Sequence, residues 1–124
     1  PERAAHDRSF VNCLDAGVPI VLGTDVGGFE WTRVSQAEEF VLMTRLGMSP
    51  AEALRAGTLR AAELLGLAGT AGVIEPGAAA DIVAVAGDPL RDIECLQQVE
   101  LVIQGGLVAW DGHHLAWDGA PPRH

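Results

Sequence analysis

Gly17-Val18-Pro19-Ile20-Val21-Leu22-Gly23-Thr24-Asp25-Val26-Gly27-Gly28 decides how the chain is read, because an apolar run ends there in an acid and then in glycines. Val18 to Leu22 is short and apolar at consecutive positions, the pattern of a strand buried on both faces of a parallel sheet. Asp25 stands at its C-terminal end, where α/β barrels and open parallel sheets gather the loops that carry chemistry. A carboxylate at that spot is a candidate metal ligand or general base. The alternative is a plain strand end, with the Asp25 side chain bonding backbone donors of a turn. The stretch taken alone favours that second reading.

Outward from this strand the N-terminal flank is helical. Residues 2 to 16 carry an apolar stripe of Ala5, Phe10, Cys13 and Leu14, and Gly17 suits the left-handed stop after the last turn. On the other flank, Gly27, Gly28, Phe29 and Trp31 follow Asp25 with neither helical nor strand period. Glycines let backbone approach a ligand and aromatics wall a pocket, so these four are candidate substrate-binding residues; the same aromatics could simply cap the core. A phosphate cradle is a poor fit, since the Walker spacing and its lysine are missing.

Three helices are predicted next. Ser35 to Glu38 has the form of a capping box opening a helix to about Leu46, with Gly47 ending it. Ser49 to Glu52 is a second box with proline at the first helical position, opening a helix to about Ala56. Thr58 is the expected cap of a third, which ends near Leu65 with Gly66 beyond it. Phe40, Val41, Leu42, Met43 and Leu46 cover more than one face of the first helix, so burial on several sides is expected.

From Gly69 the pattern turns to strands and turns. Val73-Ile74 is a predicted short strand, Glu75-Pro76-Gly77 a turn, Asp81 to Val85 a strand, Asp88-Pro89 a turn, and Ile93 to Leu96 a short helical piece. Glu100 to Gln104 and Leu107 to Trp110 should pair as a hairpin about Gly105-Gly106, with a turn at Asp111-Gly112 and a tail from His113 to His124. Asp81 is expected to be a structural acid bonding backbone donors of the preceding turn. His6, His113 and His114 are expected at the surface or in turns, since neighbours on a strand point to opposite faces and rarely share one ion.

Bulk properties bound the function. The 124 residues are 48% hydrophobic, enough for the core of one domain, and the net charge of -9 excludes a basic stripe for nucleic acid. All eight cations are arginine, which excludes a Schiff-base or carboxylated lysine within this chain. Cys13 and Cys95 lack metal-motif spacing, so a reduced, cytoplasmic protein is expected; their spacing leaves a disulfide open. No apolar run approaches the ~18 residues that span a bilayer, so no membrane partner is expected. The opening at Pro1, with no signal-peptide pattern, suggests a processed or partial product.

His6-Asp7-Arg8-Ser9-Phe10, Ala16 to Ile20, Gly23-Thr24-Asp25-Val26-Gly27, Met48 to Leu54, Ala61 to Gly66, and Gly72 to Gly77 followed by Ala80-Asp81-Ile82-Val83 resemble, in order and spacing, the C-terminal part of the metal-dependent amidohydrolase superfamily. Gly23 to Trp31, with Asp88-Pro89-Leu90 and Ile93, is most similar to the branch of imidazolonepropionase-like enzymes and Xaa-Pro dipeptidases. The resemblance implies an α/β fold: the C-terminal part of a TIM-type (β/α)8 barrel followed by strands of a small β-sandwich. Residues 1–68 would supply the last strand and closing helices, 69–112 the sandwich segment and 113–124 a tail. Asp25 matches the eighth-strand aspartate, a metal ligand that also takes the proton of the attacking water. A divalent metal is implied, zinc by expectation, as one or two ions.

The same resemblance places the remaining ligands outside this chain: the family's His-x-His and its ligands on the fourth, fifth and sixth strands do not occur here. A full barrel takes about 250 residues, so an upstream barrel segment or a companion chain is the implied partner, with a homo-oligomer expected once complete. The implied reaction is hydrolysis of an amide or peptide-type C–N bond in a small amide or dipeptide. The competing reading, from a different class, is a non-catalytic helix plus β-sandwich assembly module.

Overall fold

The computed structural model describes residues 2–25 and 35–114. Four helices come first: α1 (Glu2–Asp15), α2 (Glu38–Arg45), α3 (Pro50–Gly57) and α4 (Leu59–Leu64). Strands β1 (Ile82–Val85), β2 (Val99–Gln104) and β3 (Leu107–Trp110) follow, with a 3₁₀ helix, Ile93–Gln97, between the first two.

Glycine terminates three of the helices by one mechanism. After α1 the N–H of Gly17 donates to the Leu14 carbonyl and that of Val18 to Cys13, both at 3.0 Å, with Gly17 at φ +69°. Gly47 and Gly66 repeat the pattern: Gly47 donates to Thr44 and Met48 to Met43, and Gly66 to Glu63 and Leu67 to Ala62. This six-to-one and five-to-two pair satisfies orphan carbonyls and needs a left-handed residue, which glycine supplies without a Cβ clash. All three stops fall where the sequence predicts them.

The helix starts divide. At α3 both bonds of the box are present: the Glu52 N–H donates to Ser49 Oγ at 3.3 Å, and the Ser49 N–H donates to Glu52 Oε2 at 3.4 Å, with Pro50 opening the helix. The Ser49 hydroxyl, donating to Glu52 Oε2 at 2.8 Å, and then the Ser49 N–H hold the Glu52 carboxyl below its ordinary value. A depressed carboxyl pKa stabilises the fold above the ordinary carboxylate range and loses that contribution as pH falls through the lowered value. Ser49→Ala should therefore cost about 1 kcal/mol in urea denaturation at neutral pH, the typical value of an N-cap, and the cost should shrink on acidification. A variant as stable as the parent at both pH values would contradict this.

The box predicted at Ser35 does not form. Helix α2 begins after Ala37 with no side-chain cap, and Ser35 Oγ accepts instead from Ala37 N–H at 3.3 Å while its carbonyl accepts from Glu38 N–H at 3.0 Å. A tight turn has used the acceptors that a cap would need. Thr58 likewise caps nothing: its hydroxyl donates back to the Leu54 carbonyl at 2.7 Å, closing α3 rather than opening α4. Threonine hydroxyls compete for backbone in this way, and here the helix behind it wins.

The core lies where α1, the 18–25 segment, α2 and α3 meet. Met43, Met48, Ala53 and Ala56 are buried, with Phe10, Leu14, Ile20, Leu22 and Phe40 packed around them. Of the stripe expected on α1, Phe10 and Leu14 face this core, whereas Ala5 and Cys13 are exposed. Helix α2 is covered on more than one side, as expected, with Val41 and Met43 buried and Phe40, Leu42 and Leu46 half-buried.

Val18 to Leu22 is not paired into a sheet among the described residues. Beyond the Val18 bond that closes α1, it is tied by the Leu22 N–H donating to the Ala56 carbonyl at 3.1 Å, and Val18 is 49% exposed instead of buried on both faces. A strand is defined by its ladder, and a parallel strand has no local hairpin to supply a neighbour. Val73-Ile74 also forms no strand, and Ile74 is 82% exposed. The turn after it does form, with Ala78 N–H donating to the Glu75 carbonyl at 3.1 Å.

The sheet is antiparallel in the order β1-β2-β3, with Val83 opposite Val102 and Val102 opposite Trp110. Gly105 and Gly106 at φ +56° and +82° make the tight hairpin turn whose two positive φ values match the twist of the strands. Asp81 is structural but serves a different turn from the one expected. Its Oδ1 accepts the Gly105 N–H at 2.7 Å, 24 residues away, while Gly106 N–H donates to the Ala80 carbonyl at 3.0 Å. The carboxylate thus ties the strand-entry segment to the hairpin tip.

Candidate functional site

Asp25 closes the segment that runs along the core. Ile20 and Leu22 pack against Met43, Met48, Ala53 and Ala56, and the Leu22 bond to Ala56 fixes the backbone three residues before the acid. Gly23 and Asp25 are exposed, Thr24 half-buried, so the chain leaves the core as it reaches the carboxylate.

The Asp25 backbone lies at φ +50°, the one left-handed non-glycine among the described residues. Aspartate and asparagine enter that region several-fold more readily than most residues. No donor among the described residues meets its side chain, and the backbone that follows it, which the strand-end reading calls on, lies outside the described residues. Such a group can accept a proton or give an oxygen to a cation. The other candidates, Gly27, Gly28, Phe29 and Trp31, lie outside the described residues.

No three His, Cys, Asp or Glu side chains gather to hold a metal among the described residues. His113 and His114 sit in an exposed turn organised by Asp111, whose Oδ1 accepts both backbone N–H groups at 3.0 and 2.7 Å. Those bonds hold the Asp111 carboxyl below its usual value. The two imidazoles stand edge to face with centroids 6.4 Å apart. His6 is exposed on α1 beside Asp7, on an open groove of about 470 Å³ between α1 and α2 that Asp25 does not line. Cys13 and Cys95 are both free; burial pushes the Cys95 thiol up, which makes it a packing group and a poor nucleophile.

Sequence reasoning missed the backing of the Asp25 segment. Gly57 ends α3 directly behind Leu22, and a Cβ built there would lie 2.5 Å from Phe40 Cζ and 3.6 Å from Leu22 Cδ1. An isolated glycine inside a helical pattern is the signal that could have pointed to it, since such a residue costs helix stability and tends to be there for a packing reason.

The profile of the amidohydrolase family matches residues 3–108. Imidazolonepropionase of Geobacillus kaustophilus is 37% identical over 110 residues, covering 86% of this chain and 25% of that protein. Ochratoxinase of Aspergillus niger is 33% identical over 114 residues, covering 90% of this chain and 22% of its own length. Among solved structures, a Xaa-Pro dipeptidase with methionine in its active site superposes with a TM-score of 0.77 at 36% identity, over 82% of this chain and 25% of that one. The chain thus spans about a quarter of the length of the relatives it matches.

Proposed function

The chain belongs to the amidohydrolase family, and from that premise we propose that it is the C-terminal part of a metal-dependent hydrolase of an amide or peptide-type C–N bond, with Asp25 as metal ligand and general base. The observation that carries the reading is the Asp25 carboxylate: exposed, left-handed at φ +50°, and met by no described donor at the end of a core-anchored segment. In this reading residues 1–68 hold the last barrel strand and closing helices, and 69–112 belong to a β-sandwich completed by other parts of the assembled protein.

The family implies a divalent cation, and the residues present suit it as one part of a ligand set. A carboxylate is a hard oxygen donor, and a catalytic zinc takes about three protein ligands, so Asp25 supplies one and the others stand outside the described residues. When bound, the cation supplies Lewis acidity that lowers the pKa of water toward neutrality. Asp25 holds the proton released as water attacks the substrate carbonyl, then returns it to the departing nitrogen. Gly27 and Gly28 would let backbone approach the substrate, with Phe29 and Trp31 as apolar walls. A small amide or dipeptide is the substrate class, in keeping with the relatives' names.

The test uses the assembled protein with the rest of the barrel present and methionyl-proline as the probe, following release of free amine. Dialysis against a chelator should remove at least about 90% of the activity, and zinc or another divalent cation should restore it, as expected where the cation generates the nucleophile. Full activity in chelator-treated protein shown to be metal-free would sink the proposal.

A further inference from the structure

The Asp25 segment has no sheet partner among the described residues, and its backbone is tied to the end of α3. The Leu22 N–H donates to the Ala56 carbonyl at 3.1 Å, and the next residue, Gly57, has no side chain where Phe40 and Leu22 both arrive. A Cβ at Gly57 would stand 2.5 Å from Cζ and 2.8 Å from Cε1 of Phe40, well inside the ~3.0 Å below which real Cβ atoms do not approach, and 3.6 Å from Leu22 Cδ1. Phe40 comes from α2, Gly57 from α3 and Leu22 from the segment that ends in Asp25, so three elements share one filled point.

We propose that Gly57 and Phe40 form a volume-matched pair that positions Asp25 through Leu22. Phe40 fills the space that the missing side chain leaves, and Leu22 Cδ1 borders the same space while the Leu22 backbone is held by Ala56. A methyl group at residue 57 overlaps the Phe40 ring and only touches Leu22, and well-packed interiors hold no slack, so the ring's displacement passes on to the neighbouring Leu22 segment. Leu22 lies three residues ahead of the carboxylate. A displacement of about 1 Å at a reacting group can cost about 10²-fold in rate. Gly57 and Phe40 touch neither substrate nor metal in this scheme; they are positioning residues. The inference rests on the reading of Asp25 as the reacting carboxylate.

The experiment measures kcat, KM and bound metal for Gly57→Ala, Phe40→Leu and the double variant in the assembled protein, again with methionyl-proline. Gly57→Ala should lower kcat by about 10- to 100-fold with KM within about 3-fold and metal content unchanged, the pattern of a misplaced catalytic group. Phe40→Leu, which removes the ring atoms that the new methyl meets, should restore the double variant to within about 3-fold of the parent. Parental kcat in Gly57→Ala, or a loss that Phe40→Leu does not relieve, overturns the pairing. If Gly57→Ala does not accumulate as folded protein, the double variant decides: folded and active supports the pairing, misfolded or inactive overturns it. Asp25→Asn run in parallel separates the two claims. Parental turnover in that variant refutes the reading of Asp25, whereas an inactive Asp25→Asn beside a fully active Gly57→Ala refutes only the positioning.

Discussion

Asp25→Asn in the assembled enzyme should lower kcat by about 10²- to 10⁴-fold, the usual worth of general base catalysis, with a smaller effect on KM. Asparagine is the clean substitution for a structural reason. Asp25 sits at φ +50°, where asparagine is tolerated and most other residues pay about 1–2 kcal/mol. The variant thus keeps the backbone and one acceptor oxygen and loses charge and basicity. Asp25→Ala loses the oxygen donor as well and pays the backbone cost, so it should be the worst. Asp25→Glu keeps the base but moves it by one methylene, for which about 10²-fold is expected. Steady-state kinetics on metal-saturated variants, with metal content measured in each, reads the series. Turnover of Asp25→Asn within a few-fold of the parent would leave Asp25 a plain strand-end acid.

The largest stability effect is expected at Gly72. Its backbone lies at φ +74°, and an added Cβ would fall 2.6 Å from the Thr58 carbonyl oxygen, 2.8 Å from its carbon and 3.1 Å from Ala62 Cβ. The obstacle is backbone, and that carbonyl already accepts the Ala62 N–H at 2.9 Å at the start of α4, so it cannot yield without loosening the helix. Gly72→Ala combines a left-handed penalty of about 1–2 kcal/mol with overpacking of about 1–3 kcal/mol, giving roughly 2–5 kcal/mol. Against a typical domain stability of about 5–15 kcal/mol that is a large fraction. Gly66→Ala is the comparison, because Gly66 has a nearly identical φ of +73° and open space around its Cβ position. Urea denaturation of the assembled protein should show Gly72→Ala losing at least about 1 kcal/mol more than Gly66→Ala, the lower end of the overpacking cost. Equal losses would mean that the Thr58 contact carries no energy.

Features set by residues within a few positions of one another were legible in the sequence. The stops at Gly17, Gly47 and Gly66, the Ser49 box and the Gly105-Gly106 hairpin each depend on fewer than about seven consecutive residues, so reading the residues is nearly reading the structure. Family membership was legible from the resemblance of the segments around Asp25, Ser49 and Asp81, and the family profile matches residues 3–108. Where two local options competed, only the folded chain chose. The Ser35 hydroxyl could cap or close a turn and closed the turn that follows it, whereas the Thr58 hydroxyl could open α4 or close α3 and bonded the helix behind it. Long-range features had no local signal at all. Pairing of Val18 to Leu22 needs a neighbouring strand that no local turn can provide, the reach of Asp81 to Gly105 crosses 24 residues, and the meeting of Gly57, Phe40 and Leu22 joins three elements. Such contacts are decided by which surfaces the core brings together, and a one-dimensional pattern carries the propensity of each surface but not the identity of its partner.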